Sequence, residues 1–189
     1  MDSMTTTSTP AVETEADPQL SCFWSEVARE GRNAAPELLW TRWCSGEMPR
    51  ETFKGLVPLV WSVAEWPARS LGKRAWLAMF KDAGFVSDCG SPPPEEPVVV
   101  YRGAVRSNMR GFSWTTDFER AARFAGREEL MGIGDGAVFE VSAPPHVVLA
   151  HIVGRSEAEM VLNPSCLRGR ATPRAVARET WSEIPYLEA

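Results

Sequence analysis

Two carboxylates, Glu157 and Glu159, stand one residue apart in Ser156-Glu157-Ala158-Glu159-Met160-Val161-Leu162, at the mouth of an apolar run. In extended chain, residues i and i+2 share a face with Cα atoms roughly 7 Å apart. Like charges that close repel, so the pair is costly unless a cation or a substrate uses it; a solvated acidic edge is the plain alternative. Upstream segments supply what such a pair could work with. Arg102 follows the apolar run Val98–Tyr101, and its guanidinium offers five donors in a fixed fork suited to a pyrophosphate or ribose oxygen. Gly103 would let a ligand approach the backbone. Ser113-Trp114-Thr115, read as a strand, places both hydroxyls on one face and the indole on the other. Taken singly, an edge arginine paired to a surface carboxylate and a polar edge strand explain these two segments equally well.

These residues need elements to position them. From Leu20 to about Phe85 the apolar pattern is helical: Phe23, Trp24, Val27 and Ala28 follow a 3.6-residue period, and Pro36 fits the first turn of a helix carrying Leu39, Trp40 and Trp43. A periodic run over Phe53–Trp66, interrupted by Pro58, and another over Lys73–Ala83, closed by Gly84, complete this part. It holds Trp24, Trp40, Trp43, Trp61, Trp66 and Trp76 of the eight tryptophans, whose expected work is packing, with a partner-binding surface as the rival reading. Ser91–Pro97, SPPPEEP, is a stiff linker. Beyond it the pattern predicts strands at Val98–Tyr101, Gly111–Thr115, Ala137–Val141, Val147–Val153 and Met160–Leu162, one helix from Phe118 to about Arg127 capped by Asp117, and a glycine-rich turn at Met131–Gly136. The expectation is an α+β fold: a tail over 1–18, a helical N-terminal region over 19–90, a linker over 91–97 and a mixed or antiparallel β core over 98–189. No GxGxxG follows a strand and no Walker loop is present, so a dinucleotide would have to be held by another architecture.

In their order along the chain, Tyr101-Arg102-Gly103, Gly111-Phe112-Ser113-Trp114-Thr115-Thr116-Asp117, Ala121-Ala122-Arg123-Phe124-Ala125 and Glu157-Ala158-Glu159-Met160-Val161-Leu162 resemble the Arg, Ser-x-Thr/Ser and Glu-x-Glu motifs of the arginine-serine-glutamate mono-ADP-ribosyltransferases. The resemblance covers roughly 98–164. It implies a split β core with NAD as co-substrate, Arg102 gripping the dinucleotide, Gly103 at the nicotinamide amide, and Tyr101 and Trp114 beside the pocket. It further implies that Ser113 ties the pocket together and positions the glutamate, with Thr115 as the second hydroxyl, and that Phe124 lies against nicotinamide. Glu159 would be the catalytic carboxylate on the ribose 2′-hydroxyl, and Glu157 the acceptor-facing one that accompanies modification of arginine side chains. Trp114 departs from the small residue usual at that position.

The composition bounds the alternatives. A net charge of −5 and a pI near 5.2 argue against phosphate-backbone binding as the main source of affinity, without excluding a nucleic acid as a transient acceptor. Cys22, Cys44, Cys89 and Cys166 have neither metal-knuckle nor redox-pair spacing, so reduced thiols in a cytoplasmic protein are expected. His146 and His151 lack a third ligand at a recognisable spacing, and no metal is expected. Met1–Asp17, rich in Thr, Ser and acidic residues, reads as a disordered tail, and no run approaches the ~20 apolar residues of a membrane span. Transfer of ADP-ribose to a macromolecule, protein before nucleic acid, is the leading expectation. An NAD glycohydrolase using water and a non-catalytic partner-binding module are its rivals.

Overall fold

The computed structural model describes residues 18–65, 67–154 and 158–185; residues 1–17 of the expected N-terminal tail, Trp66 and Glu157 lie outside them, and Pro18, the last residue assigned to that tail, opens the first helix. Helix α1, Pro18–Glu30, buries Phe23 and Val27, whereas Ala28 faces solvent. Gly31 ends it at φ 96°, a conformation only glycine adopts without strain. Helix α2, Ala35–Ser45, carries Pro36 in its first turn, buries Leu39 and closes on Gly46 at φ 72°, whose N–H donates to the carbonyls of Arg42 and Trp43. Helix α3, Arg50–Val63, runs straight through Pro58, contrary to the expected interruption. The carbonyl that Pro58 leaves without a donor belongs to solvent-exposed Lys54, while Leu56, Val57, Val60 and Trp61 are buried around it. Water can serve that carbonyl, and burial outweighs the lost hydrogen bond. Short helix α4, Pro67–Ser70, and α5, Lys73–Ala83, complete the block, with Gly84 after α5 as expected.

The sheet has seven strands among the described residues: β1 Val86–Ser87, β2 Val98–Val105, β3 Ser113–Thr115, β4 Gly136–Ala143, β5 Val148–Ile152, β6 Glu159–Leu162 and β7 Arg174–Ala175. Their spatial order is β1-β5-β6-β3-β2-β4-β7. Only β1 and β5 run parallel; every other pair is antiparallel. Strand β2 extends past its predicted end at Tyr101, so Arg102 and Gly103 lie within a strand, paired to Phe139 and Val138 of β4. Strand β1 falls inside the stretch read as helical, and β7 was not foreseen. Between β2 and β3 the ladder is a single residue pair, Tyr101 with Thr115. The sheet is therefore joined at one point between a β4-β2 half and a β3-β6-β5 half.

Register sets which residues share a face. Tyr101, Thr115, Glu159 and Ile152 form one row across four strands, and Gly103, Val138, Ser113, Val161 and Ala150 lie on the same side. Over one end of this face sits α6, Phe118–Leu130, held by Ala121, Ala122 and Ala125 against Val138 and Tyr101. Over the other end sits the helical block, whose Trp61, Trp76 and Phe80 share a core with Phe112, Ala150, Ile152 and Val161. Trp114, Met160, Leu162, Val100 and Val141 point to the opposite face and pack on Leu167 and Ala171 of the C-terminal segment. The hydroxyl face and the indole face of Ser113-Trp114-Thr115 thus separate as expected.

Candidate functional site

Arg102 occupies the place where the β2-β3 ladder stops. Its Nη1–H donates to the Ser113 carbonyl at 2.5 Å and its Nε–H to the Asn108 carbonyl at 3.1 Å, so the guanidinium bridges strands that no longer pair directly. Room for it depends on Gly111: a Cβ there would lie 2.4 Å from the guanidinium carbon. Burial pulls the Arg102 pKa down to about 10, against the fields of the Glu159 and Glu128 carboxylates, which favour the cation. Arg102 therefore stays charged at neutral pH. Nη2 is the guanidinium nitrogen not spent on these two carbonyls.

Glu159 opens strand β6 and is only 9% exposed. Across the ladder it faces Thr115, and one of its oxygens accepts a hydrogen bond from the Trp61 indole N–H at 3.0 Å. Ala158, just before it, holds φ 42°, a left-handed conformation costing an L-residue about 1–2 kcal/mol. The chain therefore leaves the extended conformation at Ala158, immediately before β6. Ala158 is tied down by its carbonyl, which accepts from Thr116 N–H at 3.4 Å. Thr115 is itself buried, and its hydroxyl accepts from Asp117 N–H at 3.0 Å. Asp117 in turn caps α6 by accepting from Arg120 N–H at 3.1 Å, the cap expected from the sequence. The β3-α6 junction is thereby built from the hydroxyl motif itself.

Several predicted residues fall in places that alter their reading. The residue directly opposite Glu159 is Thr115; Ser113 is two positions along, opposite Val161, and meets Arg102 through its carbonyl. Gly103 serves the packing of α6: a Cβ there would lie 1.9 Å from the Ala121 carbonyl oxygen and 2.4 Å from Ala125 N. The close approach it permits on that face is by a helix. Tyr101 packs edge-on against Phe118 at 5.1 Å between ring centroids, level with Thr115 and Glu159. Trp114 is structural, buried on the far face with its indole N–H on the Gly111 carbonyl at 3.0 Å. Phe124 projects from α6 and is 38% exposed, available to a flat apolar group.

No protein-family model, curated protein or solved structure matches the chain. The geometry assembles a buried carboxylate, a cation within its field, two hydroxyl residues and an exposed ring. Trp61, expected from the sequence only to pack, belongs to this arrangement, as do Gly111 and Asn108. Gly111 had a signal, since it opens the hydroxyl motif; Trp61 had none, lying 98 residues from its partner. Among the described residues no group of three or more His, Cys, Asp or Glu is assembled as a metal site, and His151 instead pairs with the Ser91 hydroxyl at 2.8 Å. Nor is any helix among them long and apolar enough to cross a membrane.

Proposed function

We propose that this chain is an NAD-dependent mono-ADP-ribosyltransferase that cleaves the nicotinamide-ribose bond and passes ADP-ribose to a macromolecular acceptor, a protein arginine first. The observation that carries the proposal is the buried Glu159 carboxylate, level with Thr115 and Tyr101 on one sheet face and within the field of the Arg102 guanidinium. When the C1′–N bond breaks, its electron pair leaves with nicotinamide and positive charge develops on the ribose. A carboxylate held out of water beside that sugar stabilises the charged state more than the ground state. Arg102, with Nη2, would engage a pyrophosphate oxygen, and Phe124 would lie against the nicotinamide ring, so that both halves of the dinucleotide are oriented about the reacting carbon. Thr115 supports the row from below by anchoring the turn into α6. The acceptor nitrogen adds to C1′ and loses a proton, for which Glu157 is the proposed base.

The burial of Glu159 beneath Trp61 favours a second reading, an NAD glycohydrolase, because water reaches a closed carboxylate more readily than a macromolecule does. Incubation with labelled NAD and a lysate separates them: nicotinamide release with label on protease-sensitive material is expected for protein transfer, nuclease-sensitive label for a nucleic-acid acceptor, and release without attached label for hydrolysis. Glu159→Ala should abolish nicotinamide release. Retention of release in that variant, or binding of the nucleotide with none in the wild type, refutes the proposal.

A further inference from the structure

The tryptophans of the helical block divide by what their indole N–H groups reach. That of Trp43 donates to Asp82 at 2.9 Å and that of Trp76 to the Pro67 carbonyl at 2.7 Å, both inside the block. Trp61 alone of these three spans to the sheet, where it meets Glu159. It is 3% exposed and held edge-on by Trp76 at 4.8 Å, Phe80 at 5.4 Å and Phe112 at 5.6 Å between ring centroids. Phe112 immediately precedes β3, so the clamp on the indole comes from both the helices and the sheet.

From this we infer that Trp61 is a positioning residue for Glu159, and that the helical block is part of the catalytic unit rather than a neighbouring partner-binding module. The inference rests on the function proposed above. Glu159 is buried at the first residue of a strand, directly after a left-handed alanine. An indole N–H locked by three rings holds one of its carboxylate oxygens in place. A neutral donor does this without adding a competing charge beside the developing cation. The row Tyr101, Thr115, Glu159 is thereby completed by a donor from the helical side.

The test is Trp61→Phe, which keeps an aromatic ring in the clamp and removes the N–H. It should lower kcat for nicotinamide release about tenfold or more, as expected for the loss of a hydrogen bond to a charged group, with KM for NAD changed less than about twofold. Leu39→Ala, buried in the same helical core but on α2 rather than on the helix that carries Trp61, should lower Tm while leaving kcat at the wild-type value. A Trp61→Phe enzyme with wild-type kcat overturns the inference and leaves the proposed function standing; a wild type that releases no nicotinamide overturns both. Should Trp61→Phe fail to fold, the Trp61 indole N–H resonance decides the matter. It is expected to move upfield in Glu159→Gln, where a neutral amide replaces the carboxylate, and an unmoved resonance overturns the inference.

Discussion

Gly111→Ala tests how the Arg102 guanidinium is seated. The added Cβ would lie 2.4 Å from both the guanidinium carbon and Nη2 of Arg102, and 2.9 Å from Nε. Carbon atoms in contact sit about 3.5–4.0 Å apart, so the guanidinium must retreat by roughly 1 Å. That displacement stretches its hydrogen bonds to the Ser113 and Asn108 carbonyls, the groups that close the gap where β2 and β3 stop pairing. A hydrogen bond from a charged donor contributes about 1.5–3 kcal/mol. Losing the better part of one bond lowers Tm by roughly 3–12 °C in a chain of this size. Function should follow the same displacement, with KM for NAD raised about tenfold for each 1.4 kcal/mol of binding lost.

The decisive assay is a double-mutant cycle by thermal or denaturant unfolding. In an Arg102→Ala background the clash partner is gone, so Gly111→Ala should cost almost nothing, giving a coupling energy of about 1 kcal/mol or more. This outcome does not depend on what the protein binds. Costs that add within about 0.5 kcal/mol would show that the two residues do not meet and that Arg102 is held by something else.

Gly103→Ala should be the harsher change, because its Cβ would meet backbone, the Ala121 carbonyl oxygen and Ala125 N, rather than the mobile end of a side chain; a loss of about 3 kcal/mol or more, read by urea unfolding, is expected. Gly55→Ala, in the exposed interior of α3 with nothing within 4 Å of the new Cβ, should instead stabilise by about 0.5–1 kcal/mol in the same assay. Arg178 donates to both oxygens of Glu129 at 2.6 and 2.8 Å and, largely through that hydrogen bond, holds the Glu129 carboxyl below its ordinary 4.5. A depressed acid stabilises above its unfolded value and loses that contribution as pH falls through the folded one. The Tm difference between wild type and Arg178→Ala should therefore be present at pH 7 and shrink below about pH 4.5; a difference that persists unchanged into acid would assign it to the Arg178 contact with the Trp181 ring.

Local chemistry was readable from the sequence where one turn of chain decides it. Asp117 caps α6, Pro36 opens α2 and Gly84 follows α5 because each acts on its nearest neighbours. The alternation of Ser113, Trp114 and Thr115 across the sheet followed from the two-residue period alone. What escaped was set by partners far along the chain. Pro58 continues a helix because burial elsewhere on α3 outweighs its local cost. Residues Val86–Ser87 become a strand because β5 offers them a parallel edge. Gly103, read as an opening for a ligand, is occupied on that face by α6, since a missing side chain invites whichever body packs nearest. The match of Glu159 with Thr115 rather than Ser113 is a register, and register depends on how strands align rather than on which residues they contain.

The energetic setting of Glu159 argues that its position serves more than packing. Withdrawing a carboxylate from water costs several kcal/mol, and the left-handed alanine before it adds about 1–2 kcal/mol. Burying Arg102 costs stability as well, as its lowered pKa records. An apolar residue at position 159 would continue the run of Met160, Val161 and Leu162 and remove the first of these costs. Instead the chain sets a carboxylate there, aims an indole N–H at it from 98 residues away, and leaves a cation within reach of its field. Buried polar groups whose offsetting partners are drawn from separate elements are what the proposed site requires, whereas a core optimised for stability alone would lack them.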